Sequence, residues 1–264
     1  MKNILLIILC SILVIACTKN EVNVVSTIQL PVVESYLIAG GPISVKLSLP
    51  VAVNQDATNP TYLDGLTVIV YENNVPITLH GIGNGVYQDT TKIVKVGNDY
   101  KLAFTYNNSQ ITAETIVPQN PTGFTGSANA ILIPPIGSGF NPGTTYPTPV
   151  VYTWNNPDQS YYFLSAKCVE STLVSISTDT ANERPRFSRP PTQGNTASLS
   201  FNNFSYYGLH HVYLYKANLE FAALYNSSGT SSLNITNPVT NIQNGYGIFT
   251  SFGVDSLNII VTPK

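Results

Sequence analysis

The sequence predicts a mainly β protein, built from packed antiparallel sheets, and three observations predict it. Apolar and polar residues alternate over short runs, the period at which successive side chains fall on opposite faces of a strand. Clusters of Asn, Gly, Asp and Pro separate those runs at short intervals, which is turn chemistry. No window before Pro118 sustains the 3.6-residue period of an amphipathic helix.

The chain opens with Lys2 and an apolar run from Ile4 to Ala16, short of the roughly 20 residues a membrane helix needs. A positive start, a short apolar stretch and a small residue before the cut mark a secretory signal, so residues 1–16 are expected to be removed. Val14, Ile15, Ala16 and Cys17 resemble a bacterial lipobox, in which the cysteine is acylated on its sulfur and becomes the new N-terminus. Cys10 is the rival position, but Ile8 and Leu9 precede it where a small residue is needed, and Ala16 meets that need before Cys17. One acyl chain holds a membrane marginally, because each buried methylene contributes only about 0.8 kcal/mol. Several chains on Cys17 would give durable anchoring. Residues 17–28 have no sustained period and read as a tether.

Charged residues make up 10% of the chain, against a typical ~25%. The formal net charge of −2 supplies no electrostatic attraction for nucleic acid, which is therefore not expected as a partner. With Cys10 removed and Cys17 acylated, Cys168 is left without a partner for an internal disulfide.

Residues 29–118 are expected to form the first domain. In the stretch ISVKLSL, Ile43, Val45, Leu47 and Leu49 share one face. LTVIVY (66–71) follows, and then YKLAFTY, with Tyr100, Leu102, Phe104 and Tyr106 on a common face. The turns between them are ENNVP after Tyr71, GNG at Gly83–Gly85 and VGND at Val96–Asp99. This succession resembles small immunoglobulin-like or transthyretin-like sandwiches, a likeness of fold alone.

Residues 119–264 form the expected second, β-rich domain. Pro and Gly concentrate after Pro118 and again in a long loop from Gly137 to Pro149. In the block that follows, Tyr152 and Trp154 alternate inward, NNPDQ makes a turn, and Leu164, Ala166 and Cys168 share a face. Trp154 reads as a core plug and Cys168 as a small buried hydrophobe, ahead of a reactive thiol. KANLEFAALYNSSG predicts one short helix with Leu219, Ala222, Ala223 and Tyr225 on its inner side.

Little in the chain points to catalysis. His210 and His211, if on a strand, point to opposite faces and do not share a metal. No H-x-x-x-H, C-x-x-C or calcium-loop spacing occurs, and no serine sits in a G-x-S-x-G elbow. GFTGSANA and NGYGIFTSFG lack the Lys-Ser/Thr ending of a phosphate loop and read as turns. No catalytic residue, metal or cofactor is expected. A hydrolase assembled from distant carboxylates is the third-ranked reading.

Two features point to binding. The segment NERPRFSRPP carries Arg184, Arg186 and Arg189 among prolines, which stiffen it while the guanidinium groups offer paired donors. These arginines are the candidate partner-binding residues, for carboxylates or phosphates. The competing reading is a solvated loop paired to Glu183 and Asp179. Sixteen tyrosines, some paired as at Tyr161–Tyr162 and Tyr206–Tyr207, suit a contact surface or a sugar platform, although half of each pair is expected to point inward.

The blocks YTWNNPDQSYYFLSA, LSFNNFSYYGLHHVYLYKANLEF and NPVTNIQNGYGIFTSFGVDSL, with the early PVVESYLIAGGPISVKLS, resemble a family of Bacteroidota outer-membrane lipoproteins. That family is classed as a domain of unknown function and is often encoded beside TonB-dependent receptors. NIQNGYGIF (241–249) is the sharpest element. Asn155, Asn156, Asn202 and Asn203 stand where family members usually carry acids, so no cation site is carried over. TKNE after Cys17 partly resembles a cell-surface export signal, with retention on the periplasmic face as the alternative because one acid alone follows Lys19 closely. Asp89, Asp179 and Asp255 open triplets resembling a short O-glycosylation motif. The resemblance implies an outer-membrane location through acylated Cys17. The expectation is a non-enzymatic accessory or binding subunit of a TonB-dependent receptor, with a glycan or peptide ligand, and the alternative is an independent adhesin or glycan-binding module.

Overall fold

The computed structural model describes residues 29–51, 60–133, 147–177, 180–181, 183–227 and 239–264. The signal segment, Cys17, the tether, Asp179 and most of the Gly137–Pro149 loop lie outside these residues.

The first half contributes β1 (Val32–Ile38), β2 (Pro42–Ser48), β3 (Ile69–Glu72), β4 (Val75–Thr78), β5 (His80–Gly83), β6 (Val86–Ile93), β7 (Asp99–Tyr106) and β8 (Ser109–Ile116). The second half begins with β9 (Thr125–Gly126), β10 (Ala130–Ile133), β11 (Val150–Thr153) and β12 (Tyr161–Cys168). It continues with β13 (Val174–Ser175), β14 (Arg186–Ser188), β15 (Thr196–Leu199), β16 (Tyr206–Ala217), the helix α1 (Leu219–Ser227) and β17 (Tyr246–Pro263). The mainly β class and, among the described residues, one short α-helix are as the sequence predicts.

Alternation decides which side chains go inside. Ile43, Val45 and Leu47 of β2 are fully buried, as are Tyr100, Leu102 and Phe104 of β7 to within a few per cent. Two-residue turns close the hairpins: Asn73 and Asn74 join β3 to β4, and Asn107 and Asn108 join β7 to β8, all four at positive φ. Asparagine tolerates that left-handed region, which a tight hairpin turn requires. The third strand starts at Ile69 rather than at Leu66. Before it, the Tyr87 hydroxyl donates to Leu63 O at 2.7 Å and accepts from Leu66 N–H at 3.0 Å, so a side chain replaces the ladder there.

One large sheet runs β14-β12-β16-β17-β1-β2-β6-β5, with β10 beside β17 and β13 beside β16. A four-stranded sheet, β4-β3-β7-β8, covers its first half and a three-stranded sheet, β15-β11-β9, covers its second. The first core packs Val33, Leu37 and Val45 against Val70, Leu102 and Ile111. The second packs Leu164, Leu214 and Ile259 against Val150, Tyr152 and Leu199, with Trp154 wedged among them. Each such aliphatic side chain contributes about 1.5–3 kcal/mol on burial.

The layering is sandwich-like, and the two halves share the large sheet through β17. This strand pairs in parallel with β1 from Tyr246 to Phe252 and antiparallel with β16 from Phe252 to Val261. Phe252 is where both neighbours meet. Phe249 belongs to the first core and Ile259 to the second, and their even separation along an unbroken strand places both cores on one face of the sheet. The connector after β8 crosses β17 at Gly253, where a Cβ would stand 2.5 Å from Gln119 O. Val254 N–H then donates to Asn120 Oδ1 at 3.1 Å.

The helix departs from its expected orientation. Ala222 is buried, but Leu219 is 68% exposed and Tyr225 45%, and the contact with the sheet runs through Phe221. The segment LEFAALY is apolar on almost every side, so its period selects no face, and the aromatic surface beneath it does.

Candidate functional site

The side of the large sheet opposite the two cores carries aromatic rings. On β12, Tyr162 and Leu164 enter the second core, so Phe163 points the other way. On β16, Val212 and Leu214 go inward and Tyr213 and Tyr215 outward. Phe252 of β17 and Tyr36 of β1 continue this face toward the first half.

These rings pack around one another rather than lying as separate plates. Phe163 stacks on Tyr215 with centroids 4.7 Å apart and planes at 15°, the direct cross-strand pair of the ladder. Phe221 from α1 meets Phe252 edge to face at 4.9 Å and lies 5.2 Å from Phe163. Tyr36 stacks 6.2 Å from Phe252 and stays 42% exposed. Between them is a cavity of about 300 Å³ with a polar edge of Ser165, Ser188 and Arg186. Aromatic pairs at these separations contribute about 0.5–1.5 kcal/mol beyond area burial, so the rings of the wall stabilise one another.

The position of α1 is set by hydrogen bonds at its start. Asn218 Nδ2 donates to Thr115 Oγ1 at 2.9 Å, Ile116 O at 3.0 Å and Ser251 Oγ at 3.1 Å. Glu220 Oε1, in the first turn, accepts from Thr250 Oγ1 at 3.0 Å and Thr115 Oγ1 at 3.2 Å. These bonds join the helix to β8 and β17 together, which is what brings Phe221 over Phe252.

At the polar edge, Arg186 Nη2 donates to Tyr215 Oη at 3.3 Å. Ser188 Oγ donates to Ser165 Oγ at 3.0 Å, and Ser165 Oγ donates to Phe187 O at 2.9 Å. Burial raises the Tyr215 hydroxyl above its ordinary pKa, and Arg186 opposes that shift without reversing it. Burial, with the Glu34 carboxylate, likewise raises Tyr36. Both phenols are therefore neutral near pH 7. The arrangement can offer ring faces to an apolar group and a cationic donor to an anion.

The three arginines of the Pro-rich segment separate. Arg184 is exposed, and its backbone N–H donates to Ser205 Oγ at 3.2 Å. Arg186 reaches the cavity. Arg189 turns back, donating to Ser198 O with its guanidinium 5.8 Å from the Phe187 ring. Among the described residues none of them forms an ion pair with Glu183.

The two histidines diverge as strand geometry requires: His210 is buried and His211 is half-buried beside Tyr213. Cys168 and Trp154 are buried. Among the described residues no group of three His, Cys, Asp or Glu side chains is placed to hold a metal ion. The paired asparagines serve as turn closures. Asn156 donates to Ser160 O and Gln193 O and accepts from Ser160 N–H, while Asn203 Oδ1 accepts from Ser200 N–H. A wider groove of about 630 Å³ lies on the outer face of the four-stranded sheet, where Lys101 bridges Asp99 at 3.5 Å and Glu114 at 3.6 Å. Its charges already have partners.

The cavity rings themselves escape a sequence reading. Their signal was that YYFLSA and HHVYLYKA are apolar at both parities, which means that both faces of those strands are covered. The block NIQNGYGIF proves architectural. Asn241 closes the backbone of Phe249, Gln243 pairs with Thr112, Asn244 Nδ2 donates to Gln110 O, and Ile242 enters the first core. At Gly247, with φ +92°, a Cβ would run into Val33 O.

A family model described as a domain of unknown function, DUF4249, matches residues 19–258. No curated protein matches the chain.

Proposed function

The chain belongs to the DUF4249 family, whose description names no activity, and from that premise we propose that it is a lipid-anchored, non-enzymatic binding protein of the outer membrane. Its ring-lined cavity would hold the ligand, and a TonB-dependent receptor would be its working partner. The observation that carries the binding role is the junction of Tyr36, Phe163, Phe221 and Phe252 around a space edged by Arg186. Anchoring rests on Val14–Cys17 and on the aperiodic segment that follows, which reads as a tether. Among the described residues no helix is long and apolar enough to cross a membrane. The receptor partner rests on the family resemblance. A tether on the same membrane raises effective concentration, so a modest contact surface would suffice for association.

Mild-detergent purification of the full-length protein from its native membrane tests this reading. It is expected to recover a TonB-dependent receptor with the wild type and to lose membrane attachment with Cys17→Ser. Repeated recovery without a receptor would remove the accessory role. The exposed rings of Tyr36 and Tyr225 favour a second reading as a self-sufficient glycan-binding module. Glycan-array binding by the protein alone, with no receptor recovered, would select it.

A further inference from the structure

We propose that the cavity binds the carboxy-terminal end of a peptide whose last residue is aromatic or large and aliphatic. The side chain enters between Phe163, Phe221 and Phe252, and the terminal carboxylate meets Arg186. This rests on the reading that the cavity is the ligand site.

Size supports a single residue. A space of about 300 Å³ is at the lower limit of small-molecule sites. It takes one large side chain with its main-chain end. The walls of Phe163, Phe221 and Phe252 supply apolar ring faces, which suit an apolar or aromatic group, while the polar groups stand at one edge.

Charge supports a carboxylate. Arg186 makes one hydrogen bond, to Tyr215 Oη, and among the described residues no carboxylate pairs with it. Its planar fork keeps donors for an anion with two oxygens. Lys167 stands beside it in register on the same face, and His211 beyond that. The acids sit elsewhere. Glu34 lies on the β1 side by Tyr36, and Glu220 is held by Thr115 and Thr250. The positive end of the site is therefore at β14, and an anion is oriented toward it. The exposed Tyr36 marks the side through which the rest of a peptide can leave.

The test titrates the full-length protein in detergent micelles with Gly-Gly-Phe, with its C-terminal amide and with free phenylalanine, by calorimetry. Gly-Gly-Phe is expected to bind at least about tenfold more tightly than the amide, the size of a charge-assisted hydrogen bond. Arg186→Gln is expected to erase that difference while lowering the thermal midpoint only slightly, since Arg186 is exposed and gives up a single side-chain hydrogen bond, to Tyr215 Oη. Phe163→Ala is expected to weaken acid and amide alike. Equal binding of acid and amide, or acid binding untouched by Arg186→Gln, overturns the carboxylate assignment. Free phenylalanine binding as tightly as the tripeptide overturns the peptide assignment. No binding of Gly-Gly-Phe at millimolar concentration overturns both. These outcomes leave the receptor partnership to the membrane purification, which measures it separately.

Discussion

The side-chain amide of Asn241 takes the place of a neighbouring strand beside Phe249. Its Oδ1 accepts from Phe249 N–H at 3.0 Å and its Nδ2 donates to Phe249 O at 2.7 Å. The ladder with β16 begins only at Phe252, so this edge of β17 has no strand on that side at Phe249. Asn241→Ala leaves a backbone donor and acceptor without these partners and is expected to cost about 1–3 kcal/mol. Asn241→Asp keeps the acceptor but loses the donor, and is expected to destabilise as well. Urea unfolding measures both, and a change in the alanine variant below about 0.5 kcal/mol, the range of a neutral surface substitution, would refute the role.

Gly247 and Gly40 form a natural contrast. Both have positive φ, +92° and +81°, but a Cβ at Gly247 runs into Val33 O whereas one at Gly40 meets nothing within 4 Å. Gly40→Ala is expected to cost about 1 kcal/mol, from backbone conformation alone. Gly247→Ala adds a collision at the β1–β17 ladder and is expected to cost at least twice as much, with a correspondingly lower thermal midpoint. Equal midpoints for the two variants would show that β17 can shift away from β1 at no cost.

His210 makes stability depend on pH. Burial lowers its pKa below the ordinary value of 6.5, while the Gly208 carbonyl, 3.2 Å from Nδ1, and the Glu170 carboxylate oppose that shift. The ring packs edge-on to Phe204 at 5.1 Å. Between the folded and unfolded values the unfolded chain binds the extra proton, so the His210 contribution to stability falls as pH drops below about 6.5 and is level above it. His210→Phe is expected to flatten this slope on the acid side of about pH 6.5. Denaturant midpoints across that range measure it, and an equal slope in parent and variant would assign the effect elsewhere.

Much of the local structure was legible because its causes are local. Alternation in ISVKLSL and YKLAFTY placed Ile43, Val45, Leu102 and Phe104 inside. Tyr152 and Trp154 went inward together, and one member of each Tyr pair, Tyr162 and Tyr206, is buried. The helix was found but its facing was not, because nearly every residue from Leu219 to Tyr225 is apolar and only the Phe163–Phe252 surface distinguishes Phe221. Arg186 was singled out with Arg184 and Arg189 for their common charge. Strand pairing of β14 with β12 is what turned Arg186 alone toward the rings.

The sequence by itself determined which residues alternate, that ENNVP, GNG and VGND turn the chain, and that one helix follows β16. Each of these depends on neighbours a few residues apart. NGYGIFTSFG, which reads as a turn, instead carries the start of β17. Only the tertiary structure decided that β17 serves both halves, with Phe249 in one core and Ile259 in the other. It likewise decided that Tyr36, Phe163, Phe221 and Phe252 meet around Arg186. The physical reason is that periodicity states which face a residue takes but not which strand lies beside it. Pairing between segments far apart in the chain is selected by the packing of the whole.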